Sequence, residues 1–560
     1  MSATEKVDLT ISGTLVDVTN GALRDGTVAV DNGEIVALAD RPADRDIEAG
    51  YIAPGLIDAH MHVESSMVTA ARYGNAVLPR GVTSVVADPH EIANVCGLAG
   101  VRGMIADADH TPLKMRFTAP SSVPASHLQD GGATLTVDDV AELLDEEAVI
   151  ALGEVMNIPG VLAGDDEVHG KIGAARRRGM PVDGHAPRVT GDALQTVARY
   201  LDNDHESVTE AEAFEKLQAG MRVYIREGSC SKNLDDLIAL LDREDVDSRQ
   251  ISLCSDDRDV TELVELGSVD FAVKRAIEHG VDPVEAVQLA TINTAESYDL
   301  PFGRVKPGAP ADLVLLDDLS NWEVAHVVVD GVFDPKTPEP PATAVETDTV
   351  SVGSINPLAL AHEHSGAGPV TVQVIDAVGR LQTARMEHEL AVEPHNGTEI
   401  VVPDPAEDIL ALSVIERHEG TGSIGNSFVH GLGLDRGAVG TTVAHDAHNC
   451  LVTGASIDAM ARTGTHLEEI GGGVAAYDPE TATMASLALP VGGLMSDEPL
   501  SAVNEGFETV QAQARKMGLD HEGGLHTLTF LALEVIPALR LTNNGLVDVD
   551  AFQYTDVVLS

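Results

Sequence analysis

The feature that most limits the fold of this chain is a long alternation of short apolar runs and helical stretches. The runs 82–87, 149–153 and 181–184 predict buried strands, either because their residues are apolar or because turn residues bound them. Strands that alternate with helices predict parallel strands joined by helical crossovers. Because about 250 residues is the usual length of an eight-stranded parallel barrel, we expect an α/β fold with a (β/α)8 TIM-like barrel over residues 53–300.

Strand-rich segments flank the predicted barrel on both sides. Residues 1–52 read as short strands separated by glycine and Asn-Gly turns, and residues 301–345 resume strand character. We expect these two flanks to form one composite β-sandwich. The proline-rich stretch 334–347 is typical of a linker, and residues 346–560 predict a further α+β domain.

The charge of the chain excludes several classes of partner. Ninety Asp and Glu residues stand against 35 Lys and Arg residues, which gives a net charge of −55. Such a surface repels DNA, RNA and anionic membranes, whereas 44% hydrophobic residues are too many for a disordered acidic chain. We interpret the acidity as adaptation to a high-salt cytoplasm, with an acidic partner-binding surface as the alternative.

The remaining composition favours a cytoplasmic protein. Four cysteines lie far apart without a C-x-x-C pair, which argues against a disulfide framework. The N-terminus has no basic segment followed by an apolar core, and no apolar stretch approaches the roughly 20 residues of a membrane span. At 560 residues a homo-oligomer is plausible, but one sequence identifies no interface.

One motif carries most of the chemical information. His60 and His62 follow an apolar strand and a Pro-Gly turn, and residues two apart on a strand point to the same side. Both imidazoles can therefore reach one metal ion at the mouth of a barrel, where the active sites of this fold lie. The alternative is a pair of unrelated polar residues on an exposed strand.

Other polar residues end apolar runs at barrel-like intervals. Taken one at a time, each of them could be a capping or turn residue. Together they supply enough nitrogen and oxygen ligands for two divalent ions bridged by a carboxylate and a hydroxide. The candidate metal ligands are His60, His62, Glu154, His185, His205 and Asp256. Candidate substrate-contacting or supporting residues near the same strand ends are Glu64, His90, Glu91 and Asp257.

Several longer motifs identify a family. The chain resembles the amidohydrolase superfamily and, within it, the adenine deaminases of bacteria and archaea. The H-x-H alone indicates only the superfamily, whereas DPHEIANV, GEVMN and SDDR are much more specific. The matching stretches are PGLIDAHMHVESSMV (54–68), RGVTSVVADPHEIANVCG (80–97), GEVMNIPGV (153–161), DGHAPRV (183–189), DHESVTEAEA (204–213), LCSDDR (253–258), IERHEGTGSIGNSFVHGLG (415–433), AHDAHN (444–449) and LPVGGLMSD (489–497).

The resemblance implies hydrolytic deamination of adenine to hypoxanthine and ammonia, in purine salvage. It also implies two divalent metal ions, with Glu154 where hydantoinase-like relatives carry a metal-bridging lysine. Oxygen and imidazole donors suit Mn²⁺ or Fe²⁺, and the same donors also accept Zn²⁺. In the mechanism that we expect, Asp256 exchanges protons between the metal-activated water and the leaving amine, and both Asp256 and Glu154 are catalytic.

Three other interpretations stay open at this stage. The chain could be an amidohydrolase that acts on another aminopurine or a cyclic amide, or a catalytically silent metal-binding scaffold.

Two further patterns carry less weight. The G-x-G-x-x-G pattern at 420–425 lacks the strand and helix of a dinucleotide site. His445 and His448 resemble a second metal motif; we favour polar packing near the barrel as their role, with a catalytic contribution as the alternative.

Overall fold

The computed structural model describes residues 6–366 and 368–559. The chain divides into two compact units. Of the described residues, the first unit comprises 6–89, 104–121 and 136–342, and the second comprises 90–103, 122–135, 343–366 and 368–559.

The first unit begins with four strands that precede the barrel. They are β1 (Val7–Asp17), β2 (Ala22–Asp31), β3 (Glu34–Ala37) and β4 (Ala43–Pro54). Strand β1 pairs antiparallel with β2 and parallel with β4, and β2 pairs antiparallel with β3.

Eight parallel strands follow. They are β5 (Leu56–Met61), β6 (Val82–Ala87), β7 (Lys114–Ala119), β8 (Val149–Val155), β9 (Val182–Gly184), β10 (Asn203–Asp204), β11 (Arg222–Arg226) and β12 (Ile251–Cys254). Every residue of β5, β6 and β12 is buried, which explains why these strands read as apolar runs rather than as alternating patterns.

The eight strands form a closed ring. Strands β5 to β9 make one hydrogen-bonded sheet and β10 to β12 another. The amide of Asp202 donates to the carbonyl of Val182 at 2.9 Å, which joins the two sheets at β9 and β10. The amide of Asp256 donates to the carbonyl of His60 at 3.0 Å, which closes the ring between β12 and β5.

Helices alternate with the barrel strands, as the sequence predicts. They are α1 (Ala70–Val77), α2 (His90–Ala108), α3 (Val137–Leu143), α4 (Ile158–Ala163), α5 (Asp166–Arg177), α6 (Gly191–Val197), α7 (Glu210–Gln218), α8 (Leu234–Leu237), α9 (Val260–Glu265), α10 (Val269–Glu278), α11 (Pro283–Leu289) and α12 (Ile292–Ser297).

After the barrel the chain returns to the sheet formed by its first strands. The return strands are β13 (Leu313–Asp318), β14 (Glu323–Val329) and β15 (Val332–Phe333). Strand β13 pairs antiparallel with β4, and the seven-stranded sheet has the order β15-β14-β13-β4-β1-β2-β3. Both flanks of the barrel therefore build one small sheet domain around a shared apolar core.

Strands are the most numerous regular elements of the second unit. Its strands are β16 (His362–Glu363), β17 (Val370–Ala377), β18 (Thr383–Leu390), β19 (Val392–His395), β20 (Thr398–Val401), β21 (Ile409–Ile415), β22 (Ile424–His430), β23 (Ala438–Thr441), β24 (Cys450–Gly454), β25 (Gly473–Asp478), β26 (Thr483–Ala488), β27 (Leu539–Thr542), β28 (Gly545–Asp548) and β29 (Gln553–Tyr554). Eight of these strands form one sheet of order β18-β17-β22-β21-β24-β23-β25-β26. The long helices α13 (Ile457–Glu469) and α14 (Leu500–Lys516) complete the unit.

The predicted fold class is confirmed: a parallel α/β barrel, a flanking sheet from both ends, and a C-terminal α+β unit. One grouping was not foreseen, because residues 90–103 and 122–135 lie between barrel strands in sequence but cluster with the C-terminal unit. Within residues 6–366 and 368–559, no helix has the length and apolar character needed to cross a bilayer.

Candidate metal centre

The six candidate ligands all lie at the carboxyl ends of barrel strands. His60 is the last but one residue of β5 and His62 follows the strand, while Glu154 is near the end of β8. His185, His205 and Asp256 come within two residues after β9, β10 and β12. Because all barrel strands are parallel, these ends share one rim, and the fold brings together residues that are far apart in sequence.

One group of donors surrounds an oxygen of Asp256. Oδ1 of Asp256 lies 3.2 Å from Nε2 of His62 and 3.5 Å from Nε2 of His60. The three side chains are buried, and their donor atoms lie within 4.8 Å of one another. The group could therefore hold one metal ion.

A second group surrounds Glu154. Oε2 of Glu154 lies 3.1 Å from Nε2 of His205 and 2.5 Å from Nδ1 of His185. The other oxygen, Oε1, lies 3.6 Å from Nε2 of His62. Glu154 thus contacts imidazoles of both groups.

The electrostatics of the cluster favour anionic carboxylates. Burial acts to raise the pKa of Glu154, but the neighbouring His185 and His205 outweigh it and hold this pKa well below its usual range. Burial also acts to raise the pKa of Asp256, and the contacts with His60 and His62 hold it well below its usual range. Carboxylates that stay ionised when buried need compensating positive charge.

The donor set fits divalent metal ions of borderline or hard character. It consists of imidazole nitrogens and carboxylate oxygens, with no thiolate among the six. Nε2 of His60 is buried and makes no hydrogen bond among the described residues, as expected for a nitrogen that binds an ion. In the same part of the chain, Nδ1 of His205 is likewise buried without a hydrogen bond.

A layer of buried polar residues lies beneath the ligands, two residues earlier on the same strands. Sequence reasoning missed this layer. Asp58 precedes His60 by two residues and accepts hydrogen bonds from the amide and the hydroxyl of Ser255 at 3.0 and 2.6 Å. Asp183 precedes His185 by two residues and accepts from Asn203 at 2.5 Å and from Tyr298 at 2.9 Å.

Burial raises the pKa of both carboxyls, to about 6 for Asp58 and to about 7 for Asp183. Their hydrogen bonds connect strands beneath the ligands and fix the strand ends that carry them. The repeated D-x-H spelling at 58–60 and 183–185 was a signal that could have identified this layer.

Two charged residues beside the ligands were also missed. Nη1 of Arg226, at the end of β11, donates to Oδ2 of Asp256 at 3.1 Å and also to Oε1 of Glu206. Glu206 lies 3.8 Å from Nε2 of His205 and 3.9 Å from Nδ1 of His185. No local sequence pattern marks Glu206, and only the fold brings it into contact with the cluster.

Two of the four supporting candidates also lie in the barrel unit. Glu64 is buried and opens a short 3₁₀ turn (Glu64–Ser66) two residues after His62. Asp257 accepts a hydrogen bond from the hydroxyl of Ser65 at 2.5 Å, which joins the segments that follow β5 and β12.

Comparisons with known proteins show the family to which the chain belongs. Residues 51–333 match the amidohydrolase family, and residues 381–553 match the adenine deaminase C-terminal domain. The adenine deaminase of Desulfatibacillum aliphaticivorans is 40% identical over 97% of this chain and 95% of its own length. The chain belongs to the adenine deaminase family.

Other members of the adenine deaminase family are similar over nearly their whole length. The adenine deaminase of Methanothermobacter thermautotrophicus is 40% identical over 98% of this chain and 99% of its own. That of Salinibacter ruber is 39% identical over 98% of both chains. Among solved structures, an enamidase described as a member of the amidohydrolase superfamily matches 60% of this chain and 97% of its own, with a TM-score of 0.44 and 19% identity.

In this member of the adenine deaminase family, the remaining two candidates lie in the second unit. His90 and Glu91 open helix α2, and the Glu91 carboxylate contacts Nδ1 of His445 at 2.5 Å and Nε2 of His448. His445 stacks on Phe530 with ring centroids 4.6 Å apart. The pair that resembled a second metal motif is therefore bound to Glu91.

The hydrogen bonding of His448 favours polar packing over metal binding. The backbone N–H of Ala444 donates to Nδ1 of His448 at 3.1 Å, so Nδ1 keeps its lone pair. Burial lowers the pKa of His448 to about 4, and the neutral ring must then carry its proton on Nε2. That N–H donates to Glu91, whereas a metal ligand would need a lone pair at the same nitrogen.

Proposed function

We propose that the protein hydrolyses adenine to hypoxanthine and ammonia with two divalent metal ions bound at the barrel rim. The observation that carries the proposal is the pair of donor groups that meet at Glu154, buried except for the partly exposed His185, in a chain similar to adenine deaminases over nearly its whole length. Mn²⁺ and Fe²⁺ are the proposed ions, because the donors are nitrogen and oxygen alone. Purine salvage is the proposed metabolic role.

The proposed ligands divide between the two groups. His60, His62 and Asp256 would hold one ion, and His185 and His205 the other, with Glu154 between them. Bound ions would supply hydroxide near neutral pH by lowering the pKa of a shared water.

Asp256 is the proposed catalytic acid and base. Its Oδ1 faces the ligands, so it can take a proton from the attacking water as the C6–O bond forms. It then returns this proton to the amino group as the C6–N bond breaks, and ammonia leaves. One water is consumed, and hypoxanthine and ammonia are the only products.

The charge of the chain does not oppose this substrate. Adenine is neutral at physiological pH, so a protein of net charge −55 does not repel it. A high-salt cytoplasm is the proposed environment, because dissolved ions screen the repulsion between carboxylates.

Ammonia release on adenine tests the proposal. The protein would be prepared in high salt and reconstituted with Mn²⁺ or, without oxygen, with Fe²⁺, and adenosine, guanine and hydantoin would be assayed in parallel. We expect turnover of adenine alone, at two metal ions per chain, and loss of turnover on chelation. Turnover of another heterocycle would indicate a different amidohydrolase, and a folded two-metal protein without any turnover would indicate a silent metal-binding protein.

A further inference from the structure

The two oxygens of the Asp256 carboxylate have different neighbours. Oδ1 faces Nε2 of His60 and Nε2 of His62, at 3.5 and 3.2 Å. Oδ2 accepts a hydrogen bond from Nη1 of Arg226 at 3.1 Å. We propose that Arg226 is a positioning residue that holds Oδ2, so that Oδ1 alone serves the metal ions and the reacting proton. This inference rests on the proposed function.

Arg226 is itself held by three acceptors. Its Nε donates to Oδ1 of Asn233 at 2.9 Å, and its Nη1 reaches both Asp256 and Glu206. A guanidinium is planar and presents its donors in a fixed fork, so the bond from Nε to Asn233 also sets the direction of Nη1. A lysine has one nitrogen and could not contact Asn233 and the two carboxylates in the same geometry.

The backbone fixes the distance between Arg226 and Asp256. The amide of Glu227 donates to the carbonyl of Cys254 at 3.0 Å, and the amide of Ser229 donates to the carbonyl of Asp257 at 2.7 Å. These bonds attach the loop after β11 to the segment on either side of Asp256. The amide of Asn233 donates back to the carbonyl of Arg226 at 3.0 Å, which closes the loop.

Because Arg226 is buried, its guanidinium needs carboxylate partners. Arg226 is only 4% exposed, and a buried guanidinium is costly unless carboxylates surround it. An arginine guanidinium stays protonated in proteins, and here Glu206 and Asp256 both accept from it. The cation therefore stays charged, and its attraction keeps Oδ2 turned away from the imidazoles.

Arg222, at the other end of the same strand, provides a matched control. It is partly buried, and its Nη1 donates to the backbone carbonyl of Arg249 at 2.8 Å. A change at Arg222 removes an arginine from β11 without touching Asp256.

The test compares Arg226→Ala, Arg226→Lys and Arg222→Ala as Mn²⁺-loaded full-length proteins. We expect Arg226→Ala to bind two Mn²⁺ per chain and to lose about 100-fold or more in kcat, with KM changed by less than about 5-fold. Added guanidinium chloride at low concentration should restore part of kcat in Arg226→Ala but not in Arg222→Ala. The Mn²⁺ electron paramagnetic resonance spectrum should change in Arg226→Ala, because Oδ2 becomes available to the ions.

Several outcomes would overturn the inference. Unchanged kcat in Arg226→Ala would show that Arg226 has no role in catalysis. Loss of Mn²⁺ in parallel with kcat would show that Arg226 keeps the metal bound and does not position Asp256. If Arg226→Ala does not fold, Arg226→Lys replaces it in the test. Wild-type kcat in Arg226→Lys would then contradict the inference that the planar guanidinium is required. If the wild-type protein does not deaminate adenine, the proposed function fails, and an unchanged resonance spectrum in Arg226→Ala would separately refute the positioning role.

Discussion

Asp256 is the residue on which the proposed chemistry depends most directly. Replacing it by asparagine keeps the shape of the side chain but removes the group that accepts and returns a proton. We expect Asp256→Asn to lower kcat for ammonia release by about 10²- to 10⁴-fold, the usual contribution of general acid–base catalysis. Circular dichroism should show an unchanged fold. Asp236→Asn, at an exposed position, is the control, and wild-type activity in Asp256→Asn would exclude the proposed role.

Glu534 gives a residue-scale prediction about stability. This carboxyl is buried in the second unit and accepts from the hydroxyl of Ser126 at 2.7 Å, yet burial raises its pKa from 4.5 to about 7. Between these two pH values the folded protein keeps a proton that the unfolded chain releases. Raising the pH through this window therefore lowers the free energy of unfolding, by roughly 3 kcal/mol in total.

The variant Glu534→Gln removes this titration. We expect it to unfold at a higher denaturant concentration than the wild type at pH 8 and to depend less on pH between 5 and 8. Urea unfolding at fixed salt measures both effects. Glu498→Gln, at an exposed position, is the control, and an unchanged pH dependence in Glu534→Gln would assign the titration to another group.

The position of the loop after β11 depends on close backbone packing at Gly228. A methyl group at Gly228 would collide with the backbone carbonyl of Ser255 and would lie 2.9 Å from that of Asp257. We expect Gly228→Ala to push the loop away from Asp256, to cost about 1–3 kcal/mol in stability, and to lower kcat. Thermal unfolding and ammonia release measure the two effects.

Gly173→Ala is the matched control for this substitution. Gly173 lies in helix α5, and the added methyl group would meet only the flexible end of Arg177. Alanine favours a helix over glycine by up to about 1 kcal/mol, so this variant should be as stable as the wild type or more stable. Equal effects of the two substitutions would contradict the backbone argument.

Sequence reasoning identified the elements whose signals are local. The H-x-H at 60–62 follows a fully buried strand, so both its periodicity and its chemistry were visible. Strand β10 has only two residues, both polar, and no periodicity marks it. Arg226 was missed because its partner Asp256 is 30 residues away, and the contact between Glu91 and His445 spans 354 residues. Such contacts depend on the complete fold, not on any local pattern.

For the whole molecule, net charge gives a prediction about salt. The chain carries −55, so its carboxylates repel one another more strongly when folded than when unfolded. Because the Debye length falls from about 10 Å at 0.1 M salt to about 3 Å at 1 M, we expect the unfolding temperature to rise steeply over this range. Calorimetry in increasing KCl measures it, and a flat or falling curve would contradict adaptation to a salty cytoplasm.

The closure of the barrel also has a consequence for biosynthesis. Ser255 and Asp58 are hydrogen-bonded across 197 residues, and the first and last barrel strands meet at the candidate metal centre. A ribosome must therefore synthesise nearly half of the chain before His60 and His62 meet Asp256. A nascent chain that is still shorter than this contains His60 and His62 without Asp256, so on the proposed ligand assignment both metal ions would be captured only after translation of the last barrel strand.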